Sequence, residues 1–175
     1  MKLTLQEIKE KYPTINVNDR GGTDSFQEDV VIVERDPVAI IIKHPEEDLY
    51  LIAKWKKSTW NGFVTGGIED GDTLEETVRK EIYEETGYKN VGKIVETNKV
   101  AHGIFFHVIK GVNRLAHYHL ALTKLEDLEQ GEVSEAEKAI ADFVWIPGDE
   151  VESLLTEKDM KSLWSAYRKM EDISL

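Results

Sequence analysis

The sequence predicts a mixed α/β domain, with helices packed on a mixed β-sheet, and three observations lead there. Runs of β-branched residues fall in two groups, and helix signals lie between and after them. Of the 175 residues, 41% are hydrophobic, with no internal repeat, low-complexity tract or Ser/Gly/Pro linker among them. A chain of this size buries roughly 70% of the surface it would expose when unfolded, enough for a core without covalent staples. A single domain over residues 1–175 is therefore expected. The lack of cysteine excludes a disulfide framework, a thiolate metal site and a cysteine nucleophile, and fits a reducing, cytoplasmic setting. A net charge of −12 argues against an extended nucleic-acid surface or binding to an anionic membrane. No stretch approaches about 18 consecutive apolar residues, so neither a membrane span nor a signal peptide is expected.

In chain order, Thr4 with Glu7 three residues on reads as a capping box for a short helix that Pro13 stops. Arg20-Gly21-Gly22 reads as a turn. Two short strands are expected at Val30–Glu34 and Val38–Lys43, broken at Asp36-Pro37. After the polar turn His44–Asp48, Leu49–Trp55 is expected to pair back as a hairpin partner. A second β-rich group covers Lys93–Asn98, Gly103–Ile109, Ala116–Lys124 and Phe143–Ile146. Between the groups, Thr73 and Glu76 form another capping box, and the helix they open should stop at Gly87, which suits the left-handed position after a helix. Val151, Leu154 and Leu155 suggest a turn or two of helix. Met160, Leu163, Trp164, Tyr167 and Met170 recur at helical spacing within about 157–170, with Thr156 and Asp159 as a candidate cap.

Residues 66–88 read GGIEDGDTLEETVRKEIYEETGY and hold eight acidic residues against two basic ones, Arg79 and Lys80. A Glu-rich helix is ordinarily a solvated one. Here the angles say otherwise. At about 100° per residue, Leu74, Val78 and Ile82 form one apolar stripe, and Glu81 and Glu85 fall on its border. Glu81, Glu84 and Glu85, at i, i+3 and i+4, converge on one patch where like charges repel. A hard divalent cation such as Mg²⁺ or Mn²⁺ would neutralise it, because such ions prefer oxygen ligands. Thr65-Gly66-Gly67 lets the chain bend close by, where a backbone carbonyl near Gly66 could join the ligands.

This segment resembles the Nudix box, the signature of Nudix hydrolases: Gly, five residues, Glu, seven residues, then Arg-Glu-aliphatic-any-Glu-Glu-any-Gly-aliphatic. Gly66, Glu81, Ile82, Glu84, Glu85 and Gly87 match at the right spacing, while Asp72, Lys80 and Tyr88 depart from the Glu, Arg and final aliphatic residue. An acidic loop, Gly131–Glu137, precedes a late strand containing Trp145, as is common in the family. The resemblance covers about residues 28–155, leaving 1–27 as an N-terminal flank. It implies an α/β/α sandwich and hydrolysis of a nucleoside diphosphate linked to another group, by water attack on phosphorus with Mg²⁺ or Mn²⁺. The flanks, including Arg20-Gly21-Gly22, Trp55-Lys56-Lys57 and Lys110–Arg114, also resemble a Nudix-like module associated with some leucyl-tRNA synthetases. That leaves a second reading open, a nucleotide-binding or sensing module with weakened catalysis.

On the resemblance, Glu81, Glu84 and Glu85, with Gly66, hold the metal. The general base comes from the box or from the acidic loop, where Glu135 and Glu137 are candidates. Asp72 is expected to support Lys80 and the helix start. Lys54, Trp55, Lys56 and Trp60 combine cations and rings that suit a nucleotide, although strand-end lysines and core tryptophans explain them equally; Arg114 is a further candidate. His117 and His119 share one strand face and read as a hydrogen-bonded sheet surface in preference to a metal site. The expected partner is a small nucleotide, and the chain leaves room for a homodimer.

Overall fold

The computed structural model describes residues 4–170 and 173–175. Its centre is β3 (Pro37–Lys43), whose core residues are fully buried and alternate between two faces. Val38, Ile40 and Ile42 meet Val78 and Ile82 of α2 (Leu74–Thr86) on one face. Ala39 and Ile41 meet Met160, Leu163 and Trp164 of α5 (Lys158–Arg168) on the other. The two-residue period of a strand thus divides one apolar run between two helical layers, which makes the α/β/α sandwich.

The sheet is mixed. β8 (Val112–Leu125) pairs antiparallel with β7 (Val91–His107), and its other edge runs parallel to β2 (Ile32–Arg35) and then β3. β4 (Leu49–Trp55) begins as a hairpin with β3, but the two share only the Lys43↔Tyr50 pair. Beyond it they part: β6 (Val64–Gly67) takes the edge of β3, while β9 (Ala141–Pro147) and β5 (Asn61–Gly62) take the two edges of β4. The expected hairpin is therefore a splayed one, because other strands satisfy the backbone groups its strands would have shared.

The strands expected at 93–98 and 103–109 are one continuous β7, with irregularities between Val91 and Ile94 and between Glu96 and Val100. A bulge absorbs the polar stretch that reads as a break in the sequence. The N-terminal flank is not loose. α1 (Leu5–Lys11) has the capping box expected at Thr4 and buries Ile8 against Ile104 and Leu115, and β1 (Asn16–Val17) joins β7. The cap expected for α5 differs. Glu157 is the N-cap residue without a side-chain cap bond, the Thr156 hydroxyl pairs with Asn61, and buried Asp159 accepts from the Met160 N–H at 2.7 Å. No helix among the described residues is long and apolar enough to cross a membrane.

Candidate active site

α2 follows the sequence pattern closely. The Thr73 hydroxyl accepts from the Glu76 N–H and the Glu76 carboxylate reaches back to Thr73, while Gly87 ends the helix at φ 78°. Burial of Val78 and Ile82 against the sheet fixes the rotation of the helix, and that rotation places Glu81 against β6. A methyl group at Gly66 would overlap the Glu81 carboxylate, so only glycine lets the side chain lie on the strand there.

Glu81 and Glu85 are half-buried, and Glu84 is exposed. Burial, followed by the Glu84 charge, pushes the Glu81 carboxyl up to about 7. Burial, followed by the charges of Glu81 and Glu137, pushes Glu85 up to about 9. These are acids held where ionising is unfavourable, and among the described residues no basic side chain forms an ion pair with them. Among the described residues, no three Asp, Glu or His side chains are already drawn together as a metal cage. The donor set nevertheless fits a hard divalent cation, since it is all oxygen, lies against a backbone that only glycine permits, and carries uncompensated negative charge.

The acidic loop is partly helical: α3 (Glu135–Lys138) is capped by the Ser134 hydroxyl, which accepts from the Glu137 N–H at 3.2 Å. This short helix separates the two candidate bases. Glu137 is half-buried and its charge acts on both Glu81 and Glu85. Glu135 points to solvent with its side chain 90% exposed, ion-paired to Lys138 at 2.8 Å, and that hydrogen bond holds its carboxyl below the usual range.

The three altered box positions have different surroundings. Lys80 pairs with Glu69 at 3.2 Å instead of with Asp72, which adds only a weaker charge effect. Both partners are exposed, so the ammonium needs no forked geometry there. Tyr88 is buried, and its hydroxyl accepts from the Trp145 indole N–H at 3.0 Å, a partner that an aliphatic residue would not provide.

The substrate candidates divide between the two faces. By the alternation along β4, Trp55 lies on the face of Leu51, which packs with α2, and Lys54 lies on the face of Tyr50 and Ile52, which packs with α5. Trp60 meets Trp55 edge to face at 5.5 Å but packs on the α5 side. Lys56 donates to the Lys138 carbonyl at 2.6 Å and pairs with Asp142 at 2.9 Å, anchoring β4 to the α3 segment. Arg114 shares the face of Ala116 and Tyr118 on β8, opposite Glu81, and burial together with Arg35 lowers its pKa. His117 bonds Glu34 at 2.8 Å and His102 at 2.8 Å, with Tyr12 packed on both rings, and His119 faces Asp36 at 3.4 Å. Sequence spacing gives no sign of His102, which becomes a neighbour only through the cross-strand register.

The NUDIX domain family model matches residues 33–169. No curated protein sequence matches the chain. Among solved structures, the E. coli dihydroneopterin triphosphate pyrophosphohydrolase superposes with a TM-score of 0.61 at 14% identity, over 77% of this chain and 97% of that one. The NUDIX domain of Shewanella oneidensis NrtR, complexed with ADP ribose, gives 0.57 at 14% identity over 95% and 98%. C. elegans Ap4A hydrolase gives 0.51 at 14% identity over 78% and 97%. At these identities the structural likeness speaks for the fold, and the family model together with the box carries the membership: the chain belongs to the Nudix family of hydrolases.

Proposed function

We propose that the protein is a metal-dependent pyrophosphohydrolase that cleaves the diphosphate linkage of a small nucleoside diphosphate derivative by water attack on phosphorus. The observation that carries this reading is the packing of the Glu81 carboxylate on Gly66 with half-buried Glu85 one turn on, the two pushed up to about 7 and about 9 with no ion-paired basic side chain among the described residues. Glu81, Glu84 and Glu85, with the Gly66 carbonyl, would hold Mg²⁺ or Mn²⁺. When bound, the cation screens the diphosphate, polarises the phosphoryl oxygen and acidifies the attacking water. Glu137 takes the proton from that water, a role that suits its place beside the cluster better than the solvated position of Glu135. Trp55 offers a ring to the base on the α2 face, while Lys54 lies on the α5 face, outside the site. Lys56 and Trp60 act mainly by fixing the end of β4, and Arg114 also lies outside the site.

The phosphoanhydrides named for the similar structures, dihydroneopterin triphosphate and Ap4A, and the diphosphate ADP ribose bound to the NrtR domain, share the linkage proposed here. The test is a turnover screen with Mg²⁺ or Mn²⁺ over nucleoside triphosphates, nucleotide sugars, ADP-ribose, dinucleotides and capped RNA. Metal-dependent release of a phosphate or nucleotide product from one class is the expected result. Binding of one class without turnover would instead support the sensing-module reading.

A further inference from the structure

Resting on the assignment of Glu137 to the attacking water, we propose that Gln130 is a positioning residue for the reaction. It locks the segment that carries Glu137 onto the last turn of the helix that carries Glu84 and Glu85. The final carbonyls of a helix have no intrahelical partner and must be met from outside. In α2 the Thr86 carbonyl, one residue after Glu85, accepts from the Gln130 side-chain amide at 2.9 Å. The next carbonyl, Gly87, accepts from the Gly131 N–H at 2.8 Å, and the Lys89 N–H reaches the Glu129 carbonyl at 3.1 Å. Two strands of chain are thereby stitched in register just where the acidic cluster ends.

The contact is tight as well as hydrogen-bonded. A Cβ at Gly87 would stand 2.8 Å from the Gly131 oxygen and 3.1 Å from a Val133 methyl, so the incoming segment lies directly on the helix terminus. From Val133 the chain enters Ser134, whose hydroxyl fixes the Glu137 N–H at the start of α3. The α3 segment that carries Glu137 is thus held from two sides, by the Lys56 contact with the Lys138 carbonyl and, toward Glu81 and Glu85, by the bonded path that begins at Gln130. Beside these backbone bonds, Lys89 pairs with Glu129 at 2.9 Å in solvent, and Gln130 supplies the side-chain donor that meets a carbonyl of the helix terminus itself. Since Gln130 is exposed, its loss removes little packing, and its effect falls on the placement of Glu137.

The experiment is a double-mutant cycle in the full chain with Gln130→Met, Glu137→Gln and the double variant. It reads kcat and KM on the screened substrate and, separately, Mn²⁺ affinity by calorimetry without substrate. Gln130→Met should lower kcat about tenfold, in line with losses on disturbing groups around a metal site. KM should stay within about threefold, and the metal-free unfolding midpoint within about 2 °C. Both single variants should weaken Mn²⁺ binding at least about threefold, and the double should be no worse than Glu137→Gln in either measurement, because Gln130 acts through Glu137. Additive losses, or an unchanged kcat and Mn²⁺ affinity in Gln130→Met while Glu137→Gln is impaired, would overturn the role of Gln130 alone. A Glu137→Gln variant with normal kcat would instead overturn the assignment of Glu137 itself.

Discussion

Two groups of carboxylates are taken out of water in this molecule, one on each face of the sheet, and their partners differ. On the α5 face, Glu157 accepts from the Asn16 amide at 2.7 Å and pairs with the Arg20 guanidinium. Asp159 beside it is pushed up to about 7 by burial, but the Met160 N–H and Asn16 pull the other way. On the α2 face, among the described residues, Glu85 is surrounded by the charges of Glu81, Glu137 and Glu84, and Glu81 by those of Glu84, Glu137 and Glu69, against which Lys80 acts without an ion pair. Buried acids supplied with donors by the chain tie the N-terminal flank to α5. Half-buried acids left to repel one another are where the proposed function seats its cation.

Removing a ligand should give the largest effect. Glu84→Gln and Glu85→Gln are each expected to reduce hydrolysis at least about a hundredfold with the fold intact, since Gln matches Glu in helix propensity and leaves the cation underheld. Turnover at limiting Mg²⁺ or Mn²⁺ checks this. Near-normal rates would move the site elsewhere.

On the opposite face the same kind of change should affect folding instead. Arg20→Ala is expected to cost about 2 kcal/mol of stability by leaving buried Glu157 without its charged partner. Denaturant unfolding measures the loss, and Mn²⁺ affinity should be unchanged. A weakened Mn²⁺ affinity in Arg20→Ala would erase the distinction between the two faces.

The pH dependence of the metal-free protein should separate them further. Both Glu81 and Glu85 have folded pKa values above the ordinary 4.5, so their contribution is fully present below that value and is lost as pH rises through about 7 and then about 9. Asp159 acts in the same direction only up to about 7. The loss of stability between about pH 7 and 9 therefore belongs to Glu85. It should shrink in Glu85→Gln and on adding Mn²⁺, which binds only the folded cluster and raises the unfolding midpoint by mass action. An unfolding midpoint equally steep in pH with and without millimolar Mn²⁺ would leave the acids without a cation.

The smallest effect is expected at the altered box positions. Lys80 bonds Glu69 in solvent, so reverting Asp72→Glu and Lys80→Arg together should change turnover by less than about tenfold, or about 1.4 kcal/mol in the barrier. A hundredfold gain on the screened substrate would instead show that these departures had weakened catalysis.

Residues 66–88 are legible in the sequence because their signals are local. Capping boxes, the apolar stripe, the i, i+3, i+4 spacing of acids and the stopping glycine all depend on neighbours within a turn or two, and α2 forms as they require. The β-branched run that predicts β3 is equally local. Sequence and structure part where the partner is distant along the chain: Lys80 finds Glu69, the expected cap residue Thr156 turns to Asn61, and β7 carries its polar stretch as an irregularity between two segments that both pair with β8.

By itself the sequence determined which helix bears the acids, which of its faces packs, and that Thr65-Gly66-Gly67 lets the chain come close to them, because rotation and periodicity are properties of the local chain. Only the tertiary structure decided that Glu137 is half-buried with its charge acting on Glu81 and Glu85 while Glu135 points to solvent, that Trp55 and Arg114 lie on opposite faces, and that Gln130 meets the Thr86 carbonyl. Those outcomes follow from strand register, from the splay of β3 from β4 and from the packing of the segment after β8 on Gly87, all of which are set by groups far apart along the chain.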